Sequence, residues 1–188
     1  MNRTSVDHVY RSIRRELRFA VSYVDFTRAL ETLLGRVNPA LLSEIASESP
    51  ERARDRLANL VGPSGFALFQ KIDHGGVLKA LTGRSVQSVT YAIGNVLIAT
   101  DVMKREPLVG LYFPLRLLVC ESETDDVVVT YDLPSVTLAQ FVSPEVDGAT
   151  PSVDARLEKL LDVAAALATK VRGVKTRSKF RVAEGTRR

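Results

Sequence analysis

The stretch from Tyr91 to Arg116, YAIGNVLIATDVMKREPLVGLYFPLR, constrains the fold more than any other part of the chain. It begins as the end of a strand, turns at Gly94-Asn95 and continues as one short amphipathic helix. Pro107 ends that helix, because proline cannot continue helical hydrogen bonding. The most apolar strand of the chain follows, so the pattern predicts a unit of strand, helix and strand at the centre of the domain.

The remaining strands are indicated by alternation and by turn residues. LVGLYFPLRLLVCES and DVVVTYDL flank the acidic turn ETDD and are predicted to pair as a hairpin, with Pro114 marking a bulge or break. Period-two alternation predicts a strand over Arg18 to Val24, where a helix is the alternative. Two further strands are expected at Phe66 to Asp73 and Ser85 to Ile93. Strands grouped in this way predict an α+β fold, an antiparallel sheet with helices on one face. A parallel sheet with strictly alternating helices is the alternative.

Capping residues place the helices. Asp25 is expected to cap a helix that Gly35 ends in a left-handed conformation, and Asn38-Pro39 and Ser49-Pro50 are typical helix starts, the second ending at Gly62. The segment VSPEVDGATPS is predicted to be a loop before a long closing helix that starts at Val153. We therefore predict an N-terminal arm (1–17), one domain (18–169) with a helical insertion (38–63), and a disordered basic tail (170–188).

Composition bounds the function. The chain of 188 residues has one cysteine and no apolar run long enough to span a membrane, so we expect a cytoplasmic protein without disulfides or membrane contact. Eight basic residues against one acidic residue lie between Lys170 and Arg188. That tail could dock anionic partners, but Phe180 alone offers no stacking platform, and we do not expect specific nucleic-acid binding.

No signature of a metal site, cofactor site or hydrolase is present. Two histidines far apart and one cysteine cannot supply a zinc ligand set, so we expect neither metal nor cofactor. There is no Gly-x-Ser-x-Gly elbow and no phosphate-binding loop with its lysine. His74 lies beside Asp73, but an exposed loop histidine is the simpler interpretation.

Asn95 and Arg116 are the two positions that suggest a ligand. Asn95 opens a helix, where unpaired N–H groups bind anions, although a capping role alone would explain it. Arg116 shares a strand face with Leu118 and Cys120, so we expect it to be buried and paired with Asp73, Asp101, Glu121 or a bound anion. We hypothesise that Asn95, Arg116, Tyr112 and Asp73 surround a pocket for a small carboxylate or phosphate.

A set of residues in the central stretch carries a family resemblance. The set comprises Gly94-Asn95, Ile98-Ala99, Met103, Pro107, Leu111-Tyr112 and Pro114-Leu115-Arg116, followed by the acidic turn and VVVTYDLPS. It resembles the bacterial and archaeal domain-of-unknown-function family number 302, over about Arg18 to Thr169. The resemblance implies a curved antiparallel sheet with helices on one side, similar to the TATA-binding-protein fold, and a homodimer. Many members place a cysteine or histidine near these segments, where this chain has Val96, Leu97 and Phe113.

The family brings no activity with it, so the expected function is binding of a small molecule or a partner protein by a homodimer. The apolar segment LVGLYFPLRLLV could leave a sheet edge that a second copy covers. One alternative is a cofactor-independent enzyme that uses Arg116 and carboxylates in a cleft. The other is a scaffold that docks anionic partners through its basic tail.

Overall fold

A computed structural model of the chain describes residues 3–124 and 126–184; the side chains of residues 39, 145 and 171–184 are outside the description. The helices and strands follow the chain in this order: β1 (Arg14–Phe19), α1 (Tyr23–Leu33), β2 (Gly35–Arg36), α2 (Pro39–Ile45), α3 (Pro50–Ala58), β3 (Ala67–Asp73), α4 (His74–Thr82), β4 (Ser88–Gly94), α5 (Val96–Met103), the 3-10 helix η1 (Pro107–Tyr112), β5 (Leu115–Glu121), β6 (Val127–Asp132), α6 (Pro134–Leu138) and α7 (Pro144–Glu184).

The six strands form one sheet in the order β1-β6-β5-β4-β3-β2. All neighbours are antiparallel except β2 and β3, which pair in parallel over two residues. The predicted α+β class and the hairpin of β5 and β6 are therefore confirmed. Among the described helices, none combines the length and hydropathy needed to cross a membrane.

One face of the sheet packs against α1 and α7. Alternate residues of the inner strands, such as Tyr91, Leu117 and Val129, are fully buried there against Phe26 of α1 and Leu161 of α7. Each fully buried side chain of this size stabilises the fold by about 1.5–3 kcal/mol. The intervening residues of the same strands point to the opposite, helix-free face, because side chains alternate along a strand.

The first strand and helix begin earlier than predicted. The strand predicted over 18–24 lies at Arg14–Phe19, with its first four residues in the segment expected to be an arm (1–17) and with Leu17 opposite Val129. Ser22, not Asp25, caps α1: its Oγ accepts from the Asp25 backbone N–H (3.2 Å) and donates to the Asp25 carboxylate (2.9 Å). The bond from the Asp25 N–H to the Ser22 hydroxyl is the usual N-cap contact at a spacing of three residues, and it ends the strand pattern before Ser22.

The roles predicted for Gly35 and Gly62 are wrong. Leu34 ends α1 in an extended conformation and Gly35 starts β2, while α3 ends at Ala58, well before Gly62. The two glycines are needed for another reason, since a Cβ on Gly62 would lie 2.4 Å from the Gly35 nitrogen. The backbones cross at this point, at the two ends of the segment that carries α2 and α3.

The segment LVGLYFP does not belong to a strand. Pro107 occupies the first turn of the 3-10 helix η1, and β5 begins only at Leu115, after the break predicted at Pro114. β5 lies between β6 and β4, so this part of the chain leaves no sheet edge to cover. The structural reason given for a dimer at this segment is therefore wrong.

The closing helix starts at Pro144 instead of Val153. Val146 packs into a second apolar cluster with Val102, Val109 and Leu138, and this burial holds the first turns helical despite Pro151. The backbone helix continues to Glu184, through most of the segment predicted to be a disordered tail. Its side chains from residue 171 and the whole of 185–188 lie outside the described residues, so a role for the tail stays a prediction.

Candidate functional site

Arg116 is exposed, and its predicted burial is wrong. It shares the helix-free face of β5 with the half-buried Leu118 and Cys120, whereas Leu117 and Val119 face the core. Both faces of this strand carry apolar residues, so the sequence alone does not show which face is buried, and the face predicted to be buried is the wrong one. Within the described residues, Arg116 forms no ion pair.

Asn95 has its hydrogen bonds satisfied by the protein. Its side-chain oxygen accepts from the backbone N–H groups of Leu97 (3.0 Å) and Ile98 (3.3 Å), and its side-chain nitrogen donates to the Gly65 carbonyl (3.0 Å). The adjoining hollow, beside Phe113, encloses about 10 Å³, which holds no more than a water molecule. Asn95 thus caps α5 and ties the loop before β3 to it.

Asp73 lies away from Arg116. In the sheet register Asp73 is opposite Val89, toward one end of β4, whereas Arg116 is opposite Ala92, toward the other end. Its carboxylate accepts from the backbone N–H of Gly76 (3.0 Å) and caps α4. Of the four residues proposed to surround one pocket, only Tyr112 and Arg116 therefore lie together.

A groove of about 1170 Å³ lies between the N-terminal arm, η1 and the segment after α6. Its lining is mainly apolar, and several of its side chains are strongly exposed, among them Leu108 (71 %), Leu111 (83 %) and Val142 (97 %). Charged residues of both signs, such as Glu106 and Arg11, line its rim. Exposed apolar surface of this extent is typical of a binding site.

Aromatic rings join the arm to the floor of the groove. Tyr10 and Tyr112 meet edge to face with centroids 6.0 Å apart, and Tyr112 meets Phe141 in the same way at 5.7 Å. The hydroxyl of Ser12 hydrogen-bonds with that of Thr137 (2.8 Å), which fixes the arm against α6. The arm is therefore a wall of the groove, held by its own contacts.

A smaller pocket of about 60 Å³ adjoins the groove. Tyr112 and Leu111 line both, and Arg116 and Asp132 line the smaller one. Interaction with the Tyr112 hydroxyl raises the pKa of Tyr10, and the charge of Arg116 opposes this rise. Two tyrosines, a guanidinium and a carboxylate thus converge at one end of an apolar groove.

Tyr10 and Asp132 are the residues that the sequence analysis missed. The hairpin register could have revealed Asp132: Leu118 is opposite Thr130, so two residues further along each strand Arg116 and Asp132 are neighbours. Tyr10 gives no such signal, because it lies in the aperiodic arm and reaches the site only through the pairing of β1 with β6.

A second polar cluster joins α1 to β3 and β4 and has a structural role. Glu31 accepts hydrogen bonds from the hydroxyl of the fully buried Tyr91 (2.8 Å) and from Lys71 (2.6 Å). Burial acts to raise the pKa of Glu31, but these two hydrogen bonds outweigh it and the pKa is lowered. Burial and the Glu31 carboxylate raise the pKa of Tyr91. The described residues include no group of three metal-ligating side chains.

Comparisons with known proteins agree with the fold. A family model described as a domain of unknown function, DUF302, matches residues 43–164. The chain is similar to a crystal structure of an uncharacterized conserved protein, DUF302, from Bacillus stearothermophilus, with a TM-score of 0.56 and 16 % identity over 80 % of this chain and 97 % of that chain. None of the curated proteins matches the chain. At this identity the solved structure supports the fold alone.

Proposed function

The chain belongs to the DUF302 family, whose description names no activity, and from the geometry of the site we propose that it binds an amphipathic small molecule. The apolar body of the ligand lies in the groove and its anionic group lies beside Arg116. One observation carries the proposal: Leu111 and Tyr112 line both the apolar groove and a pocket whose guanidinium, that of Arg116, has no ion pair within the described residues.

The groove supplies the affinity. Ligand pockets commonly measure about 300–1,000 Å³, and this groove, at about 1170 Å³, is wide enough for a ligand with a long or branched apolar body. Covering the exposed parts of Leu108, Leu111 and Val142 removes apolar surface from water, at about 25 cal/mol for each Å².

The polar end supplies the specificity. A guanidinium binds a carboxylate through two parallel hydrogen bonds, and the Tyr10 and Tyr112 hydroxyls can donate to the same group. Asp132 lines the same pocket and repels a second negative charge. A monocarboxylate therefore fits better than a phosphate.

The polar end is suited to donate hydrogen bonds to a bound anion. Interaction with Tyr112 raises the pKa of Tyr10, which favours the protonated form of the Tyr10 hydroxyl. The second candidate function is that of a cofactor-independent enzyme. It predicts that the protein converts a bound carboxylate, and that Tyr10→Phe abolishes this conversion without weakening binding of the carboxylate.

Displacement of the neutral fluorescent probe N-phenyl-1-naphthylamine tests the proposal. We expect decanoate to displace the probe at up to about fivefold lower concentration than decanol, because an ion pair with an exposed arginine contributes about 0.2–1 kcal/mol. Arg116→Gln should abolish that difference without weakening probe binding. Arg84→Gln, at another exposed arginine outside the groove, is the matched control and should behave as the unmodified chain does.

The outcomes separate the two halves of the proposal. Leu111→Asp places a charge in the groove and should abolish probe binding. If the probe does not bind the unmodified chain, or binds Leu111→Asp equally well, the groove is not a binding site. If decanoate and decanol displace the probe equally well both before and after Arg116→Gln, the groove is still supported as an apolar binding site, but the proposed anion site at Arg116 is refuted.

A further inference from the structure

Two opposite charges line the small pocket beside the groove. Arg116 of β5 and Asp132 of β6 are both exposed, and they are the only charged side chains among the described residues that line it. Leu118 is opposite Thr130, so two residues further along each strand these two side chains are neighbours. Within the described residues, neither forms an ion pair. The pocket therefore presents a cation and an anion side by side, and both are available to a ligand.

Both charges act at the point where the groove and the pocket meet. The hydrogen bond with the Tyr112 hydroxyl raises the pKa of Tyr10, the charge of Asp132 adds to this rise, and the charge of Arg116 opposes it. Tyr10 lines the groove, and Tyr112 lines both the groove and the pocket. A ligand whose apolar body lies in the groove can therefore place its polar end between the two charges.

The volume of the pocket suits a polar group that is larger than a carboxylate. A cavity needs about 10–15 Å³ to hold a water molecule. At about 60 Å³ the pocket therefore has room for a group of about four to six non-hydrogen atoms. A carboxylate, which is a carbon and its two oxygens, leaves part of this volume unused. A carboxylate together with the adjacent carbon and an ammonium nitrogen on that carbon fills it.

Electrostatic complementarity favours the same polar group. A ligand with a carboxylate alone pairs with Arg116, but as it fills the pocket it covers Asp132 without giving it a partner. Removing a charged group from water without a partner is unfavourable. An ammonium group beside the carboxylate pairs with Asp132, so both charges of the pocket are matched.

Arg14 does not replace this ammonium group. It lies opposite Asp132 in the pairing of β1 with β6, on the strand side away from β5. It is not among the described residues that line the pocket, and within those residues it forms no ion pair with Asp132. The Asp132 carboxylate is therefore available on the side of Arg116.

We propose that the ligand of this protein is an α-amino acid with a long or branched apolar side chain. Its carboxylate pairs with Arg116, its ammonium group pairs with Asp132, and its side chain lies in the groove against Leu111. This inference rests on the proposed function, because it requires an anion site at Arg116, and it goes further by naming the class of carboxylate.

Displacement of N-phenyl-1-naphthylamine by decanoate, 2-hydroxydecanoate and 2-aminodecanoate tests the inference. The hydroxy compound matches the amino compound in size but carries no positive charge. We expect 2-aminodecanoate to displace the probe at about two- to fivefold lower concentration than 2-hydroxydecanoate, which is the range for one ion pair with an exposed side chain.

Asp132→Asn should abolish the preference for the amino compound. The same variant should leave displacement by decanoate as strong as before or make it stronger, because a negative charge beside the bound carboxylate is removed. If Asp132 served only the fold, its loss would change displacement by both ligands in the same direction. Asp147→Asn, at an exposed aspartate of α7 outside the groove and the pocket, is the matched control and should behave as the unmodified chain does.

The inference and the proposed function fail in different ways. Equal displacement by 2-aminodecanoate and 2-hydroxydecanoate would overturn the inference. So would a preference that is lost in Asp7→Asn, at the groove, but kept in Asp132→Asn. In either case decanoate would still displace the probe in a manner that depends on Arg116. If the probe does not bind, or if Arg116→Gln has no effect on decanoate, the proposed function itself is wrong.

Discussion

Gly35 and Gly62 offer the sharpest test of the fold, because their backbones touch. The N–H groups of both residues donate to the same carbonyl oxygen, that of Phe66, at 3.0 and 2.9 Å. A Cβ on Gly35 would lie 1.8 Å from the Leu60 carbonyl oxygen. The obstructing atom belongs to the backbone, so no side-chain rotation can relieve the clash.

The expected loss of stability in Gly35→Ala follows from that distance. Relieving the clash requires the two backbone segments to separate by more than 1 Å, and overpacking of this kind costs about 1–3 kcal/mol. Separation also weakens the shared hydrogen bonds, at about 1 kcal/mol each. Alanine restricts the unfolded chain and returns about 0.4–1 kcal/mol. We expect a net decrease of about 2–4 kcal/mol in the free energy of unfolding.

Gly148→Ala is the matched control. Gly148 lies exposed in α7, and a Cβ there would meet no atom within 4 Å. Alanine should therefore stabilise the helix by about 0.5–1 kcal/mol. Urea unfolding followed by circular dichroism gives both values from the midpoint, provided that the slope is unchanged. If Gly35→Ala were as stable as the unmodified chain, or if both variants moved in the same direction, the backbone crossing would be wrong.

Three further predictions concern the polar contacts. Burial raises the pKa of Tyr23 to about 12 and also raises the pKa values of Tyr91 and Tyr131, so these tyrosines hold their protons more tightly in the folded state. Their contribution to stability should be complete below about pH 10 and be lost as the pH rises further, and Tyr91→Phe should make this decline shallower in urea unfolding at alkaline pH. The pKa of Glu31 is lowered from 4.5, so its contribution is present above that pH and lost as the pH falls through the folded value; Glu31→Gln should flatten the acid limb of the same measurement. Asn95→Ala should lower the free energy of unfolding by about 1–2 kcal/mol, and Asn95→Asp, which keeps the cap but removes the donor to the Gly65 carbonyl, should still lower it by about 1 kcal/mol.

Local signals in the sequence were sufficient for most elements. The starts of α2 and α3 were predicted from Asn38-Pro39 and Ser49-Pro50, and the structure has both caps, with Asn38 accepting from Ala40 (3.0 Å) and Ser49 from Arg52 (3.4 Å). Asn95 caps α5, which is the simpler of the two roles that the sequence suggested for it. These predictions are correct because a cap involves residues two or three positions apart, and the sequence contains both partners.

Errors arose where distant residues decide the local structure. VSPEVDGATPS has the composition of a loop, yet Val146 is fully buried with Val102 and Val109, and this contact makes the segment helical. Gly35 has the sequence context of a helix stop, yet its conformation is set by the crossing with Gly62. In both cases the deciding partner lies tens of residues away, where periodicity gives no information.

The face of β5 is the case with the greatest consequence for function. A shift by one residue exchanges the two faces of a strand, and LRLLVC carries apolar residues on both, so neither choice is excluded by pattern. The packing of α1 and α7 against Leu117 and Val119 makes the choice, and it leaves Arg116 exposed. A buried Arg116 would have needed an internal carboxylate and would have had no charge left for a ligand. Because Arg116 is exposed beside Tyr112, its guanidinium is available to a ligand. The proposed anion site therefore depends on the face of β5 that the sequence did not predict for this residue.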